Sequence, residues 1–364
     1  MYNKSMKALI ISNPFKGTLS SKDIGEIVSS ELKLKNIDSS YIPSTDGGDG
    51  FFDAFSFIYK DAIKKEVIVR MPNGLDTHKV YYLYNPFNKT SYISISDTCG
   101  IKYLKEKDPL NSNTYGFGEA IKYSIINDKP KTIYLGLGGS ASIDMGAGML
   151  EALGVKFYDI DNKVINHLSN NKLKEINNID YKELKALIKG IEFKTLLDVD
   201  ATIFNNGAVD SYAITKGANT HELEVIKSNA ENYVKCVKKL FDNVIDKSGF
   251  GAAGGTSFSL FYFLNSILLS GSEEFLSLIN IDGLIKEYDP IITGEAIVDK
   301  QTFQGKLVKA IMNHSPKRVI VICALNNSGL MENVYSIVPN IMSKEESINN
   351  PELSLRLLIK NIHF

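Results

Sequence analysis

The apolar positions at the start of the chain predict a strand, a helix and a second strand. Residues 7–12 (KALIIS) form a continuous apolar run, as in strands that are covered on both faces of a parallel sheet. Ser20 can cap the helix that follows, and the apolar residues of this helix share one face, namely Ile24, Ile27, Val28 and Leu32. A further short strand, SSYIPS, leads into the segment TDGGDG. This β-α-β opening favours a doubly wound α/β domain with its site at the carboxyl ends of the strands.

The spacing of the strand-like runs changes further along the chain. Between about residues 66 and 96, the runs KEVIVRM, KVYYLYN and TSYISIS are separated only by short turn segments, which predicts antiparallel pairing. A helix-rich region follows, and we expect its polar part, residues 166–182, to form exposed loop and short helix. From about residue 288, short buried-strand runs again alternate with helices. We therefore expect residues 1–63 and 286–364 to share one α/β domain, into which residues 64–285 insert a mixed domain.

Composition narrows the class of ligand and the compartment. The 364 residues are 44% hydrophobic and 23% charged, with a formal net charge of −1, which is typical of a soluble globular protein and argues against a nucleic-acid or membrane-surface partner. Small molecules are the expected ligands. Cys99, Cys236 and Cys323 lack the spacing of a disulfide framework or a zinc site, which fits a reducing cytoplasm. The most apolar run, residues 258–269, is shorter than the ~20 residues of a membrane span, and the N-terminus lacks the pattern of a signal peptide.

Glycines gather with polar residues in five segments at predicted strand ends. Glycine lets the backbone approach a ligand closely and point successive N–H groups at an anion. Any one such segment is also an ordinary tight turn, but several in one chain predict a site for a polyanion. The segments are NPFKGTLSS (13–21), TDGGDG (45–50), GLGGSASIDMGAG (136–148), GFGAAGGTS (249–257) and DPIITGEAIVDKQTFQGK (289–306).

Two of these segments come close to known nucleotide-binding motifs. GLGGSA fits the dinucleotide pattern G-x-G-x-x-A after a predicted strand, but it lies in the middle of the chain and Asp144 stands where a pyrophosphate would approach. A nicotinamide or flavin enzyme is therefore the weaker alternative. The pair Gly305 and Lys306 does not form a Walker A loop, because Gln301 stands where that loop has glycine. A phosphate site at this segment would therefore differ from a Walker A loop.

Charged side chains occupy the same segments. Mg²⁺ is bound by one or two carboxylates together with phosphate oxygens and water, and phosphoryl transfer needs a carboxylate to accept the hydroxyl proton. The acidic candidates are Asp46, Asp144, Asp198, Glu295 and Asp299, and the glycine-flanked lysines are Lys16, Lys216 and Lys306. Helix capping and turn formation are the ordinary roles of such carboxylates, and a solvated surface position is the ordinary role of a single lysine. The five histidines lie outside these segments and receive no role.

Taken in order, these segments resemble the motifs of the type I glycerate kinases, a bacterial family that phosphorylates D-glycerate with ATP. NPFKGTLSS is similar to the family's D-S-F-K-G-S-L-S, and TDGGDG is similar to A-D-G-G-E-G. DPLNSNTYGFGEAI resembles N-P-x-x-T-x-S-Y-G-T-G-E-L-I, and GLGGSASIDMGAG resembles G-I-G-G-S-A-T-N-D-G-G-A-G. TGEAIVDKQTFQGK resembles T-G-E-G-x-x-D-x-Q-T-x-x-G-K. The likeness covers nearly the whole chain.

The resemblance implies a fold, a reaction and a set of site residues. It implies a flavodoxin-like doubly wound parallel sheet and an inserted mixed-sheet α/β domain, with ATP, Mg²⁺ and a small hydroxy acid in the cleft between the two domains. It also implies ATP-dependent phosphorylation of a hydroxyl group, on D-glycerate by default. The positions carried over as catalytic are Lys16, Asp46, Asp198, Glu295 and Asp299, of which Glu295 and Asp299 are also the metal ligands. Those carried over for substrate or nucleotide are Gly47, Gly48, Gly138, Gly139, Ser140, Asp144, Lys216, Gln301 and Lys306.

Several family positions are substituted in this chain. Asn13 and Pro14 replace an Asp-Ser pair, and Ile143 replaces an asparagine. Ala296 and Ile297 replace Gly-Arg in the last motif. An arginine fork gives a carboxylate or phosphate two charge-assisted hydrogen bonds, whereas isoleucine gives none. The alternative is therefore a relative that binds a nucleotide or metabolite without catalysis, or one that phosphorylates another substrate.

Overall fold

The computed structural model describes residues 6–204, 208–300, 302, 306–329 and 332–364 of the chain. Residues Met1–Lys60 and Ser270–Phe364 form one unit, and residues Asp61–Leu269 form the other. No helix in these described ranges is long and apolar enough to cross a membrane.

The strands and helices alternate along most of the chain. The strands are β1 (Lys7–Ile10), β2 (Asp38–Tyr41), β3 (Ile63–Arg70), β4 (Thr77–Asn85), β5 (Thr90–Ser94), β6 (Thr132–Gly136), β7 (Lys156–Tyr158), β8 (Val164–Ile165), β9 (Asn178–Asp180), β10 (Glu192–Leu197), β11 (Ile267–Ser270), β12 (Ile291–Val298), β13 (Val319–Asn326) and β14 (Val334–Val338). The helices are α1 (Ser21–Leu34), α2 (Phe51–Ile58), α3 (Ile95–Cys99), α4 (Tyr115–Asp128), α5 (Ala147–Ala152), α6 (Asn170–Leu173), α7 (Lys182–Leu187), α8 (Ala208–Thr215), α9 (Thr220–Val237), α10 (Ala252–Leu264), α11 (Gly271–Leu278), α12 (Ile281–Glu287), α13 (Leu307–His314), α14 (Lys344–Asn349) and α15 (Pro351–Asn361), with a 3₁₀ turn over Ile101–Tyr103.

A parallel sheet forms the centre of the first unit, and its described strands follow the order β14-β13-β12-β1-β2. Numbered along this unit alone, the order is 2-1-3-4-5, which is the flavodoxin-like arrangement. The strand order reverses between β1 and β12, where Leu9 pairs with Ile291 and Ile10 pairs with Ile292. The predicted doubly wound, flavodoxin-like sheet is confirmed.

Helices cover both faces of this sheet, which explains the continuous apolar runs of its strands. One face packs against α1 and α15 through side chains such as Val28 and Leu358. The other face packs against α11, α12 and α13 through side chains such as Phe275 and Ile311. Ser20 caps α1, as the sequence predicted. The carboxyl ends of the strands therefore remain the edge where polar loops can gather.

A mixed sheet forms the centre of the second unit, in the order β11-β10-β6-β5-β4-β3. Strands β3, β4 and β5 pair antiparallel, as their short spacing predicted, whereas β5, β6 and β10 pair parallel. Strands β7, β8 and β9 form a small antiparallel sheet of their own. Over residues 166–182 the sequence predicted only loop and short helix, but Ile179 is buried and pairs with Phe157, so Asn178–Asp180 forms a strand.

The division of the chain between the two units differs from the predicted one at its second boundary. The sequence placed the changes at 63/64 and 285/286, whereas the structure places them at 60/61 and 269/270. Helices α11 and α12 precede residue 286, yet they bury Phe275, Leu276 and Ile281 in the apolar cluster under the parallel sheet. This burial joins them to the first unit.

His314 ties three helices of the first unit together. Its ring Nδ1 lies 2.8 Å from Asp282 Oδ1 on α12, and its Nε2 lies 3.0 Å from Glu273 Oε2 on α11. Hydrogen bonds to Glu273 and Asp282 raise the pKa of His314 above its ordinary value of 6.5. Because the folded pKa is raised, the charged ring contributes stability that is fully present below pH 6.5 and is lost as the pH rises through the folded pKa.

We expect His314→Gln to lower the free energy of unfolding by up to about 1 kcal/mol at pH 6 and by less at pH 9, because the ring loses its proton as the pH rises through its folded pKa. Urea denaturation at both pH values measures the difference. His363→Gln, which removes an exposed histidine, is the control. An equal loss at the two pH values would contradict the role of the charged ring.

Candidate functional site

The point where the strand order reverses holds most of the predicted site residues of the first unit. Directly after β1, the Asn13 N–H donates to the Gly294 carbonyl at 2.9 Å, and the Ser12 hydroxyl donates to the same oxygen at 3.1 Å. In open α/β sheets, ligands bind outside the carboxyl ends of the strands at such a reversal. The loops that follow β1, β2 and β12 all begin at this edge of the sheet.

Asn13, where the resembling family has aspartate, is buried with 6% of its surface exposed. The Ser44 hydroxyl lies 3.3 Å from Asn13 Oδ1 and donates to the Ser12 carbonyl at 2.8 Å. The Ser44 N–H in turn donates to the Ser21 hydroxyl at 2.8 Å. These bonds fix the start of the loop that carries Lys16, which is exposed and has no ion-pair partner among the described residues.

Glu295 is the fifth residue of β12, and only 13% of its side chain is exposed. Its Oε1 is buried and has no hydrogen-bond partner among the described residues, while its Oε2 lies 3.9 Å from Lys306 Nζ. Burial raises the pKa of Glu295, the Thr302 side chain and the Lys306 charge lower it, and the charges of Asp299 and Asp46 raise it further. A largely buried carboxylate with one oxygen that lacks a partner in the described parts of the chain is suited to accept a proton or to bind a cation.

Asp299 and Thr302 close the turn that follows β12. The Asp299 N–H donates to Thr302 Oγ1 at 3.0 Å, and the Thr302 N–H donates to Asp299 Oδ1 at 3.2 Å. Lys306 is the N-cap of α13 and makes no side-chain capping bond. A helix N-terminus with a lysine at its cap favours a phosphate group. Gln301 lies outside the described residues.

The TDGGDG segment forms a tight turn between β2 and α2. Asp46 Oδ1 accepts a hydrogen bond from the Gly48 N–H at 3.0 Å, and Thr45 Oγ1 accepts one from the Gly47 N–H at 3.1 Å. Gly47 has a φ of +94°, which a residue with a Cβ rarely adopts. Asp46 is therefore both a turn-forming residue and one of the charges that act on Glu295.

Asp144, in the second unit, is fully buried and its hydrogen bonds hold two helix starts together. Its carboxylate accepts from the Thr114 N–H and hydroxyl, both at 2.8 Å, and from the Gly146 and Gly148 N–H groups, both at 3.2 Å. Burial raises the pKa of Asp144, and these four bonds oppose the rise. In this arrangement Asp144 positions the starts of α4 and α5. Ile143 beside it belongs to the apolar core.

Lys216 is buried against the loop that follows β6. Its Nζ donates to the Ser140 hydroxyl at 2.8 Å and to the Ser142 carbonyl at 2.6 Å. Burial lowers the pKa of Lys216 to about 7, and the charge of Asp144 opposes the shift. Gly254 packs on this loop so closely that a Cβ there would lie 2.3 Å from the Ser142 carbonyl oxygen. The close packing of Gly254 and the hydrogen bonds from Lys216 together hold the loop after β6 in place.

The structure divides the predicted site residues into two groups, one in each unit. Strands β6 and β10 are parallel neighbours, so the residues after them share one edge of the mixed sheet. The first unit holds Lys16, Asp46, Gly47, Gly48, Glu295, Asp299 and Lys306, and the second holds Gly138, Gly139, Ser140, Asp144, Asp198 and Lys216. Among the described residues, no three His, Cys, Asp or Glu side chains group closely enough to hold a metal by themselves.

Sequence reasoning missed two residues that support these groups. Thr302 closes the turn at Asp299, and Thr114 supplies two of the four hydrogen bonds to Asp144. The available signals were the Gln-Thr pair after Asp299 and the threonine just before the α4 pattern, a position typical of helix caps.

Comparison with known proteins extends over nearly the whole chain. The model of the glycerate kinase family matches residues 8–363. A glycerate kinase of Bacillus cereus is 30% identical over 375 residues, which cover 98% of this chain and 97% of that protein. A glycerate 2-kinase of Escherichia coli K12 is 28% identical, over 94% of this chain and 93% of that one. The crystal structure described as glycerate kinase 2 from Salmonella typhimurium LT2 shares the fold, with a TM-score of 0.78 and 24% identity over 98% and 97% of the two chains.

The buried lysine leads to a prediction about stability and pH. Between pH 7 and 10 the unfolded state holds the Lys216 proton and the folded state does not, so the free energy of unfolding rises with pH, by about 1 kcal/mol per pH unit. We expect Lys216→Met to remove this slope. Urea denaturation at pH 7.5 and pH 9.5 measures it.

The slope, and not the absolute stability, is the readout, because the hydrogen bonds that the variant loses affect both pH values. Lys122→Met is the control, since it removes a partly exposed lysine that also bonds a carbonyl, that of Ala152. A variant at position 216 with the parent's slope would show that Lys216 keeps its proton in the folded state.

Proposed function

Because the chain belongs to the glycerate kinase family, we propose that it is a kinase that transfers the terminal phosphate of ATP to a hydroxyl group of a small hydroxy acid, with D-glycerate as the default acceptor. The observation that best supports this reaction is the Glu295 carboxylate, whose buried Oε1 has no hydrogen-bond partner in the described parts of the chain and whose Oε2 lies 3.9 Å from Lys306 Nζ. Phosphoryl transfer requires a group that takes the hydroxyl proton and cations that balance the phosphate charge.

The end of β12 and the start of α13 fit a nucleotide phosphate. Lys306 would contact the phosphate oxygens, and the first N–H groups of α13 would add hydrogen bonds and a favourable helix dipole. Asp299 and Glu295 would hold Mg²⁺, since this ion takes one or two carboxylates and completes its shell with phosphate oxygens and water. Bound Mg²⁺ would balance the charge of the phosphate oxygens.

Glu295 is also the preferred candidate for the proton acceptor. Where no cation is bound to it, burial raises the pKa of its carboxyl, and a base works best when its pKa approaches the working pH. The unpaired oxygen gives the hydroxyl proton a place to go, while Lys306 and Thr302 orient the rest of the group. Lys16 and Asp46 lie in loops at the same edge of the sheet, and they would add a positive and a negative charge near the acceptor.

A second candidate function is a relative with a shifted substrate or without catalysis. The observation behind it is Ile297, which is 48% exposed at the end of β12 where the resembling family has arginine. An exposed isoleucine offers no hydrogen bond to a substrate carboxylate. The neutral, buried Asn13 points in the same direction, because the family has a carboxylate there.

We expect Asp299→Asn and Lys306→Ala each to lower nucleotide affinity or turnover more than tenfold with folding intact. A surface carboxylate or lysine would change stability and affinity by no more than ~0.5 kcal/mol. Coupled assays of ADP release with ATP, Mg²⁺ and D-glycerate measure turnover, and calorimetry measures nucleotide binding. Lys309→Ala, on the same helix α13, is the matched control. If both variants match the parent, the end of β12 is only a polar loop.

We expect Ile297→Arg to raise kcat/KM for D-glycerate by about tenfold, because a hydrogen bond to a charged group contributes ~1.5–3 kcal/mol. The exposed position accommodates a long side chain without disturbing the core. Ile297→Met, which keeps an apolar side chain, is the control. No gain in a folded variant, against a parent that turns over other hydroxy acids, would favour the shifted substrate.

A further inference from the structure

Three loops of the second unit line an open cavity of about 540 Å³, to which no ligand has been assigned above. The loops are residues 70–75 after β3, residues 111–115 before α4, and residues 167–175 around α6. The middle loop belongs to the segment DPLNSNTYGFGEAI, in which only Thr114 has a role so far, as a donor to Asp144. The volume lies in the range of cavities that bind small metabolites, roughly 300–1,000 Å³.

Arg70 lines this cavity, and its guanidinium is held by a ring and by a carboxylate. The group stacks on the Tyr115 ring, with 3.9 Å from Cζ to the ring centroid. Its Nε lies 3.9 Å from Glu119 Oε1, beyond hydrogen-bond distance, and Glu119 Oε2 accepts from the Arg70 backbone N–H at 2.7 Å. Among the described residues the guanidinium makes no hydrogen bond. A guanidinium that is stacked on a ring and has N–H groups free to donate matches the geometry of a carboxylate or a phosphate.

Two largely buried side chains of the lining, Asn113 and Ser169, each have a hydrogen-bond donor that meets no acceptor among the described residues. Asn113 is 6% exposed, and its Oδ1 accepts from the Tyr115 N–H at 3.1 Å, while its Nδ2 has no acceptor in the described parts of the chain. Ser169 is 5% exposed, and its hydroxyl makes neither a capping bond for α6 nor another hydrogen bond within those parts. Both residues line the cavity, so the Asn113 amide and the Ser169 hydroxyl can donate to a molecule bound there.

The charges of the side chains that line the cavity favour an anionic ligand. Its acidic residue Glu175 is paired with Lys172 at 3.1 Å, which leaves Arg70 and the exposed Lys174 as basic side chains without an acid in hydrogen-bond contact. The Glu119 carboxylate lies 3.9 Å from Arg70 Nε, so it partly balances the positive charge of the guanidinium. It also helps to hold the guanidinium in position. A ligand that places an oxyanion group on Arg70 and further oxygen atoms on Asn113 and Ser169 would match these side chains.

We propose that the cavity binds a small organic oxyanion, a hydroxy acid or its phosphate ester, with Arg70 on the carboxylate or phosphate group and Asn113 and Ser169 on the neighbouring oxygens. The acceptor acid of the proposed kinase, its phosphorylated product and a separate acidic effector all share this chemistry. The test below separates them.

Isothermal titration calorimetry with D-glycerate and with inorganic phosphate, without nucleotide or Mg²⁺, tests the proposal. We expect the parent to bind at least one of the two probes, and Arg70→Met to weaken that binding at least tenfold. Ser169→Asp should weaken it similarly, because it adds a negative charge to the cavity while aspartate still suits the N-cap of α6. Arg318→Met, which removes the same charge from an exposed site in the first unit, should bind like the parent.

Kinetics of the same variants identify the ligand. A raised KM for D-glycerate with kcat retained in Arg70→Met assigns the cavity to the acceptor acid, and unchanged kinetics with lost probe binding assign it to an effector. A chain that lacks kinase activity but binds a probe through Arg70 would contradict the proposed function and support this site. No heat from either probe at millimolar concentration, or parent-like binding by both cavity variants, would overturn the proposal.

Discussion

The pairing of β1 with β12 joins parts of the chain that are far apart in sequence, and the first group of site residues depends on it. The Ser12 hydroxyl reaches the Gly294 carbonyl across 282 positions. Gly294 allows this arrangement because a Cβ there would lie 2.0 Å from the Ile322 carbonyl oxygen of β13. With β12 held between β1 and β13, its next residue, Glu295, emerges at the edge where the strand order reverses. Backbone hydrogen bonds thus place this residue, and Lys306 lies 3.9 Å from its Oε2.

Both units contain a buried carboxylate and a lysine, but the two carboxylates differ in how well their oxygens are satisfied. Asp144 accepts four hydrogen bonds from backbone and threonine, so little capacity remains for a ligand. Glu295 keeps one buried oxygen without a partner among the described residues. A saturated carboxylate stabilises the fold, whereas an unsatisfied one is costly to keep and is typical of sites that bind or react.

Much of the fold could be predicted from the sequence, because apolar runs and short turns report directly on strand burial and pairing. The carboxylates and lysines at strand ends could be predicted for the same reason. The full burial of Asp144 could not be predicted, because its glycine-rich segment has the composition of an exposed loop. It is buried by tertiary packing, which brings Thr114 to its carboxylate from 30 positions away. The stacking of Arg70 on Tyr115 also joins residues that no local pattern connects. The buried Ile179 shows the same limit, because its strand forms only by pairing with Phe157.

The divided course of the first unit also governs the order in which the protein can fold during synthesis. Strands β1 and β2 leave the ribosome long before β12, which pairs with β1 at the centre of the sheet. The second unit, in contrast, is continuous in sequence and can complete its core from its own residues. Domains generally fold as units as they are synthesised. The N-terminal β-α-β segment must therefore wait, with one edge of β1 unpaired, until the last quarter of the chain arrives. Such an edge is a site for pairing with other chains, so this interval is when the protein is most exposed to aggregation.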